Sequence, residues 1–377
     1  MKIIFLCGSL EPGRDGIGDY VRRLSGELLR AGHYASAISL YDQHVHEAYF
    51  GDQLSDSKAL SVLRLPSVWK SSKRFARAEQ WVNEFNPDCI SLQFVPFAFH
   101  KKGLPYNMGK HLSSLGRGKK WHIMFHELWV GMDYEAPIKF RILGKAQQFI
   151  IKSLINLIQP RVIHTQTHLY QIQLSKLGAT AHSLPLFGNI PVENVDSENC
   201  NSVTIADTSR SVSLVLFGNI HQSSFVQPFT DEAAAYAQTT GTSLTLVLVG
   251  RCGPEAEHWV SAWKAAGLTV EVLGEQSPSY ISAILRKATF GLATTPTALI
   301  EKSGTAAAMK EHGLRVICAG RPWHPRTKIS LKLPDGIVVY TPGNFKDCVA
   351  LNIAPVSNEN TVSFIAERLL SHLTINN

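Results

Sequence analysis

Five consecutive residues, Glu301, Lys302, Ser303, Gly304 and Thr305, bring a carboxylate, an ammonium and three small residues to the expected start of a helix. An apolar strand over Phe290 to Thr294 and a turn at Pro296 precede them. Ala306, Ala307, Ala308 and Met309 continue the helix to His312, Gly313 suits its C-terminal cap, and Arg315 to Cys318 reads as the next strand. In such a βαβ unit the unpaired N–H groups of the first helical turn and the helix dipole favour a phosphate. Gly304 lets a ligand approach the backbone. An ordinary surface loop is the competing reading of the same residues.

Other candidate positions fall at comparable places, after strands and before helices. Lys2 to Gly8 is an apolar strand, followed by a loop carrying Gly13, Gly16, Ile17 and Gly18, a helix over about Asp19 to Arg30, and a strand over Tyr34 to Leu40. That order is the grammar of a nucleotide-binding α/β fold, although Gly16-x-Gly18 lacks the third glycine of a dinucleotide fingerprint. The strand Trp121 to Phe125 ends at His126, where α/β sheets bind ligands. A histidine at a strand end serves structure as readily as chemistry. Arg251 follows the strand Leu244 to Val249, and Gly274 follows the strand Thr269 to Leu273.

The 377 residues exceed one typical compact core and fit two α/β domains, divided as 1–188 and 189–377. The boundary is expected within 186–212, because residues 193–210 are rich in Asn, Ser, Asp and Glu. The final helix, Phe364 to Leu373, is a candidate to return to the first domain. Six cysteines (Cys7, Cys89, Cys200, Cys252, Cys318 and Cys348) are scattered, with no CxxC pair and no metal-like spacing. The strand-length N-terminus and the lack of a long apolar run lead us to expect a reduced, cytoplasmic protein that does not span a membrane. The formal charge of +7 is uneven: residues 1–190 hold 23 Lys and Arg against 14 Asp and Glu, and residues 191–377 hold 14 against 16. A basic first half suggests an anionic partner. Nucleic acid is not expected, since no zinc finger, aromatic strand motif or unbroken basic run is present. Residues 66–86 read as a basic amphipathic helix, with Trp69, Phe75, Trp81 and Phe85 among Lys70, Lys73, Arg74 and Arg77. Such a helix suits peripheral contact with the inner face of an anionic membrane, or else aromatics packed on the domain and solvated charges. A longer helix, Lys139 to Leu157, carries Lys139, Arg141, Lys145 and Lys152. No Ser-His-Asp order, HExxH, Walker loop or carboxylate dyad stands out, so hydrolase and kinase chemistry has little support.

With Glu301, Gly304, Met309 and Gly313 in that order after a proline, the chain resembles the GT-B glycosyltransferases, in particular the retaining family four. The resemblance implies two Rossmann-like domains facing a central cleft, the first binding the acceptor and the second the nucleotide-sugar donor. It implies transfer of a sugar, of hexosyltransferase type, to a glycan, lipid-linked or small-molecule hydroxyl acceptor, with no cofactor beyond the nucleotide-sugar co-substrate. Assembly of a cell-surface glycan or glycolipid is one setting for such a reaction. The absence of an Asp-x-Asp motif fits metal-independent transfer, so no metal site is expected. Catalytic roles then fall to Glu301 (on the donor sugar), His126 (reaching the same sugar) and Lys302 (on the leaving diphosphate). Donor contacts fall to Gly16, Ile17, Gly18, Arg251, Leu273, Gly274, Ser303, Gly304 and Thr305, with Leu273 and Gly274 holding the base through main-chain groups. Two positions depart from the family pattern. Ala308 or Met309 stands where a second glutamate holds the ribose, and Asn219 and His221 stand near the expected Arg and Lys. A non-catalytic GT-B subunit and a sugar-nucleotide 2-epimerase are the alternative readings.

Overall fold

The computed structural model describes residues 1–55, 58–193, 211–222, 224–326, 329, 331–349 and 361–374, so most of the polar stretch 193–210, with Cys200, lies outside the described residues. The chain forms two compact units: Met1–Pro185 with Pro325–Ile329 and Val362–Asn377, and Leu186–His324 with Ser330–Thr361.

The first unit runs β1 (Lys2–Cys7), α1 (Gly16–Arg30), β2 (Tyr34–Asp42), β3 (Tyr49–Ser55), β4 (Lys58–Pro66), α2 (Ser71–Phe85), β5 (Cys89–Phe94), α3 (Pro96–Phe99), α4 (Met108–Leu115), β6 (Lys120–Phe125), α5 (Ile138–Ile158), β7 (Val162–Thr165), α6 (His168–Lys176) and β8 (His182–Ser183). Its sheet has the order β3-β4-β2-β1-β5-β6-β7-β8 and is parallel except where β3 meets β4. The inner strands are nearly continuous apolar runs, as strands covered on both faces must be: Ile3, Ile4, Phe5 and Leu6 of β1 are all inaccessible.

The second unit runs β9 (Ser211–Phe217), α7 (Val226–Thr240), β10 (Ser243–Val249), α8 (Ala256–Ala265), β11 (Thr269–Gly274), α9 (Pro278–Lys287), β12 (Phe290–Ala293), α10 (Gly304–Glu311), β13 (Arg315–Cys318), β14 (Ile337–Val339) and α11 (Phe345–Cys348). All neighbours in its sheet, β11-β10-β9-β12-β13-β14, are parallel. Apolar side chains fill both faces, one centred on Phe229, Trp259 and Trp263, the other on Val215, Met309 and Val316. The last helix, α12 (Val362–Thr374), packs on α1 of the first unit through a buried stripe of Ile365, Ala366, Leu369 and Leu373.

The basic helix expected over 66–86 is α2, starting at Ser71. Its aromatic residues turn inward. Trp81 is buried and its indole donates to Ser36 Oγ at 3.0 Å, while Phe75 stacks on His111 with ring centroids 4.6 Å apart. The aromatics are therefore spent on packing, the second of the two readings given above.

Candidate functional site

In both sheets the strand order reverses beside the first strand of the unit, between β1 and β5 and between β9 and β12. At such a reversal the loops leaving the carboxyl ends diverge and open a crevice, the usual ligand position in α/β folds.

In the second unit this edge is built by three loops. Gly218, at φ 73°, turns the chain after β9, and a Cβ there would lie 2.8 Å from Thr305 Cγ2. Only glycine combines that backbone with so close an approach to α10. The His221 amide then donates to Thr294 Oγ1 at 2.8 Å, tying the loop to the end of β12. The loop after β10 joins them: the Ile220 amide donates to the Cys252 carbonyl at 3.1 Å. Ser303 caps α10 by accepting the Ala306 amide at 3.3 Å, and its hydroxyl also meets Thr295 Oγ1 (3.3 Å) and Thr305 Oγ1 (3.1 Å). This cap is a neutral hydroxyl, and the first turn holds no acidic residue, so the positive end of the helix dipole is left uncancelled there.

Lys302 stands directly before this cap, at the end of the 3-10 turn Thr297–Lys302. The His221 imidazole is held below its ordinary pKa by desolvation first, and then by the charges of Lys302 and Arg321. Glu301 acts on Lys310: burial lowers the Lys310 pKa, and the carboxylates of Asp335 and Glu301 oppose that shift. Adjacent in sequence, Glu301 and Lys302 end that 3-10 turn, in which each residue rotates by about 120°. Arg251 pairs with Glu275 at 2.8 Å, and both side chains are well exposed. Beside it the Gly274 carbonyl accepts the Gly250 amide at 2.7 Å, and the Leu273 carbonyl accepts Gln276 Nε2 at 2.7 Å. Of the main-chain groups expected to hold a base, the two carbonyls thus each already accept one hydrogen bond.

The missing second glutamate has a physical counterpart. Ala308 and Met309 are fully buried in the packing of α10, where a carboxylate would be stranded. The acid on this helix is Glu311, one turn below, and it accepts the Gly188 amide at 2.8 Å.

The edge of the first unit is organised differently. Asp15 caps α1, and its Oδ1 accepts the amides of Ile17 (2.8 Å) and Gly18 (3.1 Å). Burial raises the Asp15 pKa against the pull of those two amides. Amides expected to face a diphosphate are therefore held by the chain's own carboxylate, and α1 begins at Gly16 instead of Asp19 because Asp15 caps it. Gly18 has a packing reason, since a Cβ there would lie 2.7 Å from the Ser9 carbonyl oxygen. Arg64 anchors the same loop, its Nε 2.8 Å from Asp42 Oδ2 and its Nη2 2.5 Å from Glu11 Oε2. Burial alone would raise the Asp42 pKa, but the Arg64 hydrogen bonds and the His44 and Leu10 amides bring it below the ordinary carboxylate value.

His126 is buried. Its Nδ1 accepts Gln166 Nε2 at 2.5 Å and its Nε2 donates to Gln93 Oε1 at 2.8 Å, so both ring nitrogens are used inside the unit. It is one end of a polar chain that sequence reasoning missed. Gln93 Nε2 donates to Ser91 Oγ at 2.7 Å, which meets His122 Nδ1 at 2.7 Å. His122 Nε2 then meets His164 Nδ1 at 2.9 Å, and His164 Nε2 meets His372 Nδ1 on α12 at 2.6 Å. Burial, with the neighbouring imidazoles, pushes the His122 pKa down to about 3 and those of His164 and His372 below the ordinary value. The signal was present in the sequence: two histidines inside otherwise apolar strands need partners. A cavity of about 210 Å³ lies between α2, α3 and α4, lined by Leu40, Phe75, Phe99, Leu104 and Met108 with Arg74, whose guanidinium is bonded to the carbonyls of Leu40 and Trp69.

Among the described residues, no group of His, Cys, Asp or Glu is placed to hold a metal, and no helix is long and apolar enough to cross a membrane.

Two parallel-sheet α/β units of this kind define the GT-B fold, and comparison with solved structures agrees. The chain superposes on HepE of Anabaena in complex with UDP and glucose with a TM-score of 0.61, at 15% identity over 99% of both chains. It superposes on an apo structure of OtsA with a TM-score of 0.56, at 12% identity over 100% of both. For the UDP-GlcNAc 2-epimerase of Neisseria meningitidis bound to UDP-GlcNAc the TM-score is 0.54, at 9% identity over 100% of both. No protein-family model matches the chain, and no curated protein matches it in sequence.

Proposed function

We propose that the protein is a metal-independent glycosyltransferase that takes a nucleotide sugar, with a uridine diphosphate sugar as the first donor to test, and transfers the sugar to a hydroxyl acceptor. The observation that carries the reading is the neutral-capped start of α10, directly after Lys302, beside a His221 loop tied to the end of β12 and acted on by the charges of Lys302 and Arg321. These loops leave β9 and β12, the strands at the strand-order reversal of the second unit. A departing nucleotide diphosphate carries growing negative charge, and preorganised amides and cations are what a metal-free site offers it. HepE was solved with UDP and with UDP-glucose, which makes these the first ligands to try. In this reading the second unit holds the donor and the first unit the acceptor, in a cytoplasmic setting. Retention of configuration and transfer of a hexose follow the family-four resemblance. Ser303, Gly304 and Thr305 receive the diphosphate with Lys302, and Glu301 selects the sugar. The donor roles of Ile17, Gly18, Leu273 and Gly274, and the catalytic role of His126, have less support, because groups of these residues already serve internal hydrogen bonds.

The test begins with a thermal-shift screen of UDP, GDP, ADP, CMP and TDP and their sugars, since a ligand that binds the folded state raises its stability by mass action. Stabilisation by one diphosphate family, followed by acceptor-dependent release of that diphosphate, is the expected result. Interconversion of the free nucleotide sugar without an acceptor would assign the epimerase reading instead. Binding without turnover of any donor would assign the non-catalytic reading.

A further inference from the structure

The first unit carries an apolar and cationic stripe that neither the fold nor the proposed donor site uses. On α5 the side chains of Ile138, Ile142 and Phe149 are 71%, 67% and 74% exposed. At about 100° per residue these three positions fall within about 40° of one another around the helix. Lys145 and Lys152, also exposed, lie on the same line, and Arg141 is exposed beside it. The buried residues of α5, among them Gln147, Ile151 and Leu154, occupy the opposite side and seat it on the unit. A solvent-facing helix would ordinarily put polar residues at positions 138, 142 and 149.

The charge on this face is all of one sign. α5 has four Lys and Arg and no Asp or Glu across its 21 residues. Lys139 rests near the Phe140 ring and Lys145 near the Gln148 amide, and no α5 cation pairs with a carboxylate among the described residues. Around the helix, residues 96–159 hold ten Lys and Arg against three Asp and Glu. A second copy of this chain is a poor occupant, because self-pairing along the stripe sets Lys145 and Lys152 against like charges. Large apolar side chains lined by unpaired cations are complementary to one environment in particular, the interface of an anionic bilayer. There the apolar groups enter the acyl boundary and the ammonium groups meet lipid phosphates.

We propose that the exposed stripe of α5 is a docking surface for an anionic lipid membrane, and that the first unit lies against the bilayer through Ile138, Ile142, Phe149, Lys145 and Lys152. This places the surface on α5, whereas the sequence had pointed to α2, whose aromatics are packed inward. The inference does not depend on the donor site.

Vesicle sedimentation of the full chain tests it, with phosphatidylcholine vesicles compared with phosphatidylcholine containing phosphatidylserine. Binding should require the anionic lipid and weaken with salt. Lys145→Glu with Lys152→Glu should lower the partition coefficient by more than tenfold, since each cation at the surface contributes a factor of about five. Phe149→Ser should weaken binding without changing its salt dependence. The paired change Lys73→Glu with Arg77→Glu on α2 should have a much smaller effect. All variants alter exposed side chains, and circular dichroism checks that they fold as the parent does. Equal partition onto neutral and anionic vesicles, or parental binding by the Lys145→Glu Lys152→Glu protein, overturns the proposal. So does a concentration-dependent dimer abolished by Phe149→Ser, or an acidic protein partner that binds the stripe while vesicles do not.

Discussion

The two strand-order reversals of this molecule share a topology and differ in what fills them. At the first, the start of α1 is closed by the Asp15 carboxylate, the loop is tied down by Arg64 through Asp42 and Glu11, and His126 is bonded on both sides. At the second, the start of α10 is capped by the Ser303 hydroxyl, and Lys302 and Arg321 add positive charge near His221. An anion arriving at the first helix must displace a carboxylate. At the second it meets an uncompensated dipole and cations. A nucleotide-fold opening such as β1, loop and α1 therefore does not by itself make a phosphate site. What decides is whether the chain brings its own anion.

The comparison predicts its largest effect at Lys302. With a working donor, Lys302→Ala should lower kcat by about 10²–10³ and change donor affinity less, because the interaction strengthens as charge develops on the leaving diphosphate. Glu301→Ala should relax the choice of sugar and leave diphosphate binding nearly intact. Steady-state kinetics on both variants checks this, and parental activity in both would make the pair a surface feature.

Next in size is the closed edge of the first unit. Arg64→Ala leaves Asp42 buried without its partner, and truncating one member of such a pair costs about 3–5 kcal/mol. Denaturant unfolding should show that loss. A loss under 1 kcal/mol would mean that the loop after β1 is not held by this pair.

The histidine chain gives the first unit a pH dependence with a definite sign. His122 titrates at about 3 when folded, against about 6.5 unfolded, and His164 and His372 are lowered as well. Between those values the unfolded chain binds protons that the folded one does not. Stability is therefore full above about pH 7 and falls as the pH drops, by up to about 1.4 kcal/mol per unit for each of the buried His122 and His164, and by less for His372, which lies nearer solvent. The depressed Asp42 adds a loss in the same direction at lower pH, as the pH falls through its folded value. Melting temperatures at pH 8, 6.5 and 5 measure the slope, and a flat profile would contradict the burial of this chain.

Much of the architecture was legible because parallel strands buried on both faces leave long apolar runs. β1, β6, β10 and β12 are all visible as such, and Gly313 marks the end of α10. The β3–β4 hairpin was not legible. Gly51 and Asp52 sit inside β3, and pairing with β4 stabilises a strand that local propensity would not. The Ser303–Thr305 turn was readable from residue type. That Glu301 and Lys302 close a 3-10 turn was not, since such a turn leaves no periodic trace in six residues. Nor could the sequence show that Asp15, His126, Leu273 and Gly274 already have partners. Satisfaction of a polar group depends on residues far away in the chain.

A smaller effect sharpens the contrast at the first edge. Asp15→Ala removes an N-cap and should cost about 1 kcal/mol of stability. It should leave nucleotide affinity within about twofold, since a factor of two is under 0.5 kcal/mol. Parallel melting and binding measurements check both.

The central claim is that the second unit's edge, and not the first's, binds the nucleotide diphosphate. The direct measurement is calorimetric titration of UDP into the parent protein, into Lys302→Ala with Arg321→Ala, and into Asp15→Ala. Charge-assisted hydrogen bonds contribute about 1.5–3 kcal/mol each, so the paired substitution should weaken binding by tenfold or more. Asp15→Ala should bind as the parent does. Unchanged affinity in the Lys302→Ala Arg321→Ala protein, together with altered affinity in Asp15→Ala, would move the site to the first unit and contradict the account.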